Sequence, residues 1–586
     1  MPNQPFLLLI SPSQRHPFDA YLDEILLIEG YHCRETRTVG HADDLGDLAP
    51  YSLVIVSAGA AEVVPAEVVL EYVTAGGRAI LIQPPREWTA QYGLTSMGAC
   101  YSVARDAYLQ MNAAHPWLAH FPATDLQVPG EMHVNVGQEV EALAFVAGQR
   151  GQASPYPAVA LRRHGQGSAV VFAYDLAETI VLLHQGRPEK SSTGADPDSN
   201  RDGKFTGDDA FEGMRDYDLR HVPQADVHQD LLVRCLRGLM AGAMPLPRLW
   251  HFPGGAPGLL FVDGDGDAMI WDDLEWVVAA CDEFGARYTL YLMTEQIEAF
   301  EREQVAAMRR RGHEFGVHPW VGLQPSLTTW AEGLDEIVGR FVDKFGYEPT
   351  SLRAHSCVFP GWDENPRLLS ERGLRLETSF AGGYRFVSGY LNGSGLSVRF
   401  IGRNGRVIDC FEHSTIQTED GSATTKCLLP PLTEEEALRL ALELMDDCGR
   451  RWHGVFHPYF HPINLAGRGS VPCRQWFRGV LQGARERGLP SVNATQWLEF
   501  SEARLAAQVE GAQWEEPWLR FSVTAPRPMD GLTIMLPPQG ELTPCLAHLP
   551  GERRDLQPYA YEGLQWFGVT LDLAEGETAT VAVEYR

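Results

Sequence analysis

Short apolar runs alternate with amphipathic stretches along the first hundred residues of the chain. FLLLIS, SLVIVSAG and RAILIQP read as buried strands, and PFDAYLDEILLIEGY and EVVLEYVTAGG set apolar residues at helical spacing between them. Strand and helix in alternation predict a parallel sheet with crossover helices. After about residue 125 the pattern turns to alternating strands, among them YPAVALRRHGQGSAVVFAYDL, before the helix AETIVLLHQG. From about 250 to 503 the strand–helix alternation returns. GLLFV runs into DDLEWVVAACDEFG, where Leu274, Val277, Val278 and Cys281 form one apolar stripe. RYTLYLM, HEFGV, TSLRA, RLETSF, RVIDCF, HGVF and PSVNA follow as strands at barrel-like spacing. WLRFSVTA, GLTIML, FGVTLDL and TATVAVEY, with turn residues between them and little helical period, predict a small antiparallel β-sandwich.

The expected fold class is α/β in three domains: a parallel-sheet domain over 1–248 with a polar insertion at 186–228, a (β/α) barrel over 249–504, and a β-sandwich over 510–586. EGAQWEEPW, near 510–518, reads as a solvated linker. A length of 586 residues agrees, since one core rarely serves more than about 250–300 residues. A formal charge of −29 repels phosphate backbones and anionic lipid and argues against nucleic-acid or membrane-surface partners. The start, MPNQPFLLLISPSQ, has five consecutive apolar residues and no basic leader, which predicts a first buried strand rather than a signal peptide or a span. Ten scattered cysteines without a CxxC pair predict free thiols and a cytoplasmic setting, with export by a route lacking an N-terminal signature left open.

In a parallel barrel only the carboxyl rim of the strands lets distant parts of the chain meet above a packed core. GLLFV ends in Asp263-Gly264-Asp265, HEFGV in His318, TSLRA in His355 and HGVF in His457. One aspartate and two histidines suit zinc or a similar divalent ion and leave positions open for water and substrate. FVDGDGD also fits a Gly-Asp turn or the start of a calcium loop; Leu274 at its twelfth position, where an acidic ligand belongs, argues against the second. In DPDSNRDGKFTGDDAF, by contrast, Asp198, Asn200, Asp202, Thr206 and Asp209, with Gly203 at the sixth position and the Lys204 carbonyl, match a calcium-wrapping loop; a solvated acidic loop is the alternative.

The residues after these strands resemble the polysaccharide deacetylases (NodB homology domain, carbohydrate esterase family 4), whose members share a distorted (β/α) barrel. FVDGDG is similar to the branch that spaces its aspartates as Asp-x-Asp, which implies Asp263 as catalytic base and Asp265 as metal ligand. RGHEFGVHPW looks like the second motif, making His318 a ligand, but Gly322 stands where the usual second histidine would. His355 in SLRAHSCVFPGW is expected to fill that vacancy, with Arg353 orienting base or substrate. GVFHPYFHP resembles the last motif and implies His457 as general acid, with His461 as neighbour. The resemblance covers roughly 250–500. The first domain resembles the class I glutamine-amidotransferase-like fold, yet Ser57-Ala58-Gly59-Ala60 replaces the GxCxG turn, so it is expected to be non-catalytic.

Blander readings compete at several positions. Asp267 is expected to cap the next helix, His313 to be structural, and His457 and His461 could form a packing pair. Trp320, Trp362 and Trp452 fit either a sugar face or the core, and Asp409, Glu412 and His413 either support a ligand or end an exposed strand. The expected function is metal-dependent hydrolysis of the N-acetyl amide of a sugar or glycan. Its rivals are an inactive glycan-binding or assembly protein and a metal-dependent amidohydrolase acting on a non-sugar amide.

Overall fold

In Phe6–Ile10, the first apolar run, alternate side chains enter two different cores: Phe6, Leu8 and Ile10 one, Leu7 and Leu9 the other. That is how a strand covered on both faces must read. The computed structural model describes residues 4–102, 104–380, 388–424, 429–561 and 563–586; Cys427 lies outside them. Arg34–Thr38, Phe6–Ile10, Leu53–Val56, Arg78–Ile82 and Gly167–Phe172 pair in parallel, in that order. Ala153–His164, Glu141–Ala147, Tyr108–Met111 and Leu126–Gln127 extend the same sheet antiparallel. Ser57, only 1% exposed, caps the short helix Ala58–Ala61 and donates to Asp19 Oδ2 at 2.6 Å.

The middle of the chain forms a second nine-stranded sheet. Its hydrogen-bonded order is Val398–Ile401, Val407–Glu412, Leu376–Glu377, Ser351–Leu352, Glu314–Val317, Thr289–Leu292, Asp263–Asp265, Pro458–Tyr459, Gln417–Thr418. All neighbours are parallel except Val398–Ile401. Among the described residues the ladder does not close, so a complete barrel is not formed by hydrogen bonds. The expected first barrel strand breaks at Val262, and Leu259–Phe261 pairs instead between Val455–Phe456 and Ser491–Val492.

The last segment holds two antiparallel sheets. EGAQWEEPW is no linker: Gln508–Glu515 is a strand paired with Trp518–Thr524, its valine and alanine buried on one side while glutamates face water. The second sheet also recruits Arg248–Leu249, which pairs with Met529–Leu536. The Arg248 side chain is fully buried and binds Glu29 Oε2 at 2.6 Å, and Arg504 Nη2 donates to the carbonyls of Ile28 and Leu249 at 2.8 and 2.9 Å. These guanidiniums fasten the N-terminal segment to the rest; burial and the neighbouring Arg248 push Arg504 down to about 9.

Glu377 and Glu412 are opposite each other on adjacent strands, both buried, with Glu377 Oε2 unpartnered. Asp409 is exposed, but Glu412 and His413 are not an exposed strand end. Burial, opposed by hydrogen bonds from Ser379, raises Glu377 to about 7. A carboxyl whose folded pKa is raised contributes most below its unfolded value and loses that contribution as pH climbs through the folded one. We therefore expect Glu377→Gln to stabilise the protein by roughly 2 kcal/mol at about pH 8 and hardly at all near pH 4. Denaturant titration at the two pH values checks this, and an equal shift at both would refute it.

Candidate metal centre

Three side chains from three strand ends meet at the rim of the middle sheet. Asp267 Oδ1 lies 3.3 Å from His318 Nε2 and 3.2 Å from His355 Nδ1, and the two nitrogens are 3.2 Å apart. Four-coordinate ions bound at about 2.0–2.2 Å space their ligands by about 3.3–3.6 Å, so this triangle is close to the size that such an ion needs. Asp267 Oδ1 has no hydrogen-bond donor directed at it although it is buried. His318 Nδ1 donates to the Arg353 carbonyl at 2.7 Å, which leaves its Nε2 lone pair facing the triangle. Burial opposes charge on Asp267, but the imidazoles of His318, His355 and His461 beside it outweigh that and hold the carboxyl far below its usual range. These residues fit a divalent cation.

The surrounding backbone is unusual. Ala268, Ser356 and Cys357 hold φ near +53°, +56° and +57° directly beside two of the ligand positions. Such left-handed non-glycine residues cost about 1–3 kcal/mol each and gather where a site must be held in place. Gly264, between the first two aspartates, cannot be anything larger, since a Cβ there would come within 1.9 Å of the Phe460 carbonyl. Asp267 does not cap the following helix: Trp271–Phe284 is capped at Ile270 through Asp273.

Asp265 is beside the triangle, its Oδ2 3.5 Å from His318 Nε2 and accepting from the Tyr459 hydroxyl at 2.9 Å. Its Oδ1 accepts no hydrogen bond but faces Arg353 Nε at 3.9 Å, and burial raises its pKa against the pull of His318, Arg353 and His461. Tyr459 also touches His461 Nε2 at 2.6 Å. On the far side of that ring, Glu419 Oε1 binds His461 Nδ1 at 2.5 Å and the His461 amide at 2.7 Å. Burial disfavours charge on His461, but Glu419, Asp267 and Asp265 together hold it well above the ordinary histidine range. Glu419, Asp420 and His461 also form a second cluster of ligand-type atoms.

One layer below are the residues that the motif reading placed in the catalytic roles. Asp263 and His457 are fully buried, with His457 Nε2 2.8 Å from Asp263 Oδ2. Arg353 Nη2 donates to the same Asp263 oxygen at 2.7 Å and to Thr415 at 3.0 Å, and its guanidinium covers the Tyr459 ring at 4.3 Å. His457 stacks on His413 at 4.9 Å, and burial lowers its pKa despite Asp263. Asp263 and Asp265 share a strand face and Asp267 follows in the turn just beyond it, while His457 and His461 flank the short strand Pro458–Tyr459 on its two ends. Asp265, Asp267 and His461 are therefore nearer the rim than Asp263 and His457.

Other expected site residues are placed as follows. Gly322 has φ +97° with open space around it, and His355 occupies the triangle's third corner. Trp320 is 46% exposed with its edge against His355, whereas Trp362 is buried and donates to the carbonyls of Gln185 and Gly186. His313 accepts from the Tyr288 amide and contacts Asp282, away from the rim. The expected calcium ligands of the polar insertion, from Asp198 to Asp209, share one hydrogen-bonded loop. Asp198, Asn200 and Asp202 accept from the amides of Gly203, Asp202 and Lys204, and Asp209 accepts from those of Asn200 and Thr206. Asp198 also binds Gln324, and Phe205 bonds Leu323 and Phe359, so the insertion straps the loops after His318 and His355 together.

Among solved structures, the chain is similar to polysaccharide deacetylases. A "putative polysaccharide deacetylase" of Mycobacterium smegmatis shares 16% identity over 44% of this chain and 94% of its own, with a TM-score of 0.33. The peptidoglycan deacetylase PdaC of Bacillus subtilis shares 12% over 43% and 94%, with a TM-score of 0.26. A cold-adapted β-galactosidase of Rahnella sp. shares 16% over 29% of this chain and 28% of its own, with a TM-score of 0.24. No family model matches the chain, and no curated protein does. Identities and TM-scores this low leave the functional reading to the geometry of the site. Among the described residues no helix is long and apolar enough to cross a membrane.

Proposed function

We propose that this chain is a metal-dependent hydrolase that removes the acetyl group from an N-acetylated sugar or glycan. The observation that carries the reading is the Asp267–His318–His355 triangle with, beside it, a carboxylate oxygen of Asp265 that accepts no hydrogen bond. Those three residues would hold the ion, zinc being the candidate that suits one carboxylate and two imidazoles. A divalent ion bound there supplies a Lewis acid for an acyl carbonyl and brings the pKa of water down towards about 7.

Asp265 is the base. Its raised pKa brings its proton affinity nearer to neutrality, and the Tyr459 hydroxyl fixes Oδ2 so that Oδ1 is left to accept a proton from water. His461 is the acid: Glu419 keeps it charged, and its Nε2–H can be delivered to the leaving amine, which must be protonated to depart. Tyr459 bridges the two, donating to Asp265 while it accepts from His461; after turnover, with Asp265 protonated and His461 neutral, both hydrogen bonds reverse and carry the proton back from base to acid. Asp263, Arg353 and His457 form the buried support that orients Tyr459 and Asp265 from below. The sugar in this reading comes from the motif resemblance and from the exposed Trp320 ring beside His355, which offers a pyranose an apolar face.

The test is acetate release from N-acetylated oligosaccharides. Release should stop with chelator and return with zinc. Metal without acetate release would point to another amide, and neither metal nor release to a binding protein.

A further inference from the structure

Near the start of the strand Val455–Phe456, and lined by none of the metal-centre residues, three parts of the chain enclose a cavity of about 370 Å³. Asp226 and Arg234 reach it from the helix Gln224–Met240, His251 and Trp452 from segments leading into the middle strands, and Tyr561 from the C-terminal sheet. Clefts of this size at junctions between units are where small ligands commonly bind.

The wall's charges are already matched. Arg234 pairs with Asp230 at 2.9 Å, Glu29 with Arg248 at 2.6 Å, and Arg451 with Asp447 at 3.2 Å. Arg450 faces Asp446 at 3.4 Å, and Asp226 accepts from the amide and hydroxyl of Ser394 at 3.1 and 2.8 Å. An ionic ligand would find no uncompensated partner. Neutral polar capacity does remain: the buried indole N–H of Trp452 has no acceptor. Burial and the nearby arginines also keep His251 uncharged. Buried polar groups without partners are rare unless a water or ligand satisfies them. Trp452, Tyr561 and Phe121 add aromatic surface.

We propose that this cavity binds a neutral saccharide, a ring with an apolar C–H face for the aromatic side chains and hydroxyls for the indole N–H and the wall carboxylates. The site is separate from the metal centre and does not depend on the reading given for it. Calorimetric titration of the full chain with N,N′,N″-triacetylchitotriose tests it. Saturable binding should persist in Asp267→Asn and weaken at least tenfold, roughly 1.4 kcal/mol, in Trp452→Ala. Ala123→Trp, which fills the mouth from an exposed position, should weaken it likewise and decides the matter if Trp452→Ala does not fold. No saturable binding, or binding lost in Asp267→Asn and unchanged in Ala123→Trp, would overturn the proposal.

Discussion

Asp267→Asn should strip the metal and abolish hydrolysis together, while Asp263→Asn should keep the metal and unfold more easily. Asp267 supplies the only carboxylate oxygen of the triangle, and an amide there brings neither charge nor a comparable ligand. Metal content after dialysis should fall from about one ion per chain to a small fraction, with a rate loss of at least about a thousandfold, since water is no longer activated. Asp263 is 0% exposed and holds the buried Arg353 at 2.7 Å. Removing one partner of a buried pair leaves the other charge uncompensated, a cost of about 3–5 kcal/mol. Metal analysis and denaturant unfolding of the two variants give opposite patterns if the layers are assigned correctly. An Asp263→Asn chain that is stable but metal-free would put the ion one layer deeper and end the assignment.

The distinction explains what the sequence could reveal. Apolar runs such as FLLLI and TLYL announce strands because both faces are covered, and the convergence of Asp, His and His at strand ends was readable from order alone. What could not be read was depth. FVDGDGD offers two overlapping Asp-x-Asp pairs, and HPYFH places two histidines four residues apart about a tyrosine. A period of two fixes which side of the strand a residue occupies, not how far along it the core ends. The available signal was the helix start: with Ile270 as cap, Asp267 has no capping duty. Glu419 gave no signal either, since it lies 42 residues before the histidine that it holds. Arg248–Leu249 was equally silent, because its partner strand is contributed by the distant Met529–Leu536.

The His461–Glu419 pair makes the second prediction. As the proposed acid, His461 works only while protonated, so activity is expected below its folded pKa and lost as pH rises through it. Glu419 is the largest influence raising that pKa against burial, and it extends activity to higher pH. Glu419→Gln removes the charge while a side-chain oxygen can still accept from the ring. The basic limb of the kcat profile should move to lower pH, with kcat down roughly 10- to 100-fold at about pH 8 and KM little changed. His461→Ala should cost about 10²- to 10⁴-fold and remove that limb altogether. Both variants should retain the ion bound by Asp267, His318 and His355, which separates proton delivery from coordination. Loss of metal in Glu419→Gln would instead assign Glu419, Asp420 and His461 to a second ion, because a group that only tunes the acid has no reason to change stoichiometry.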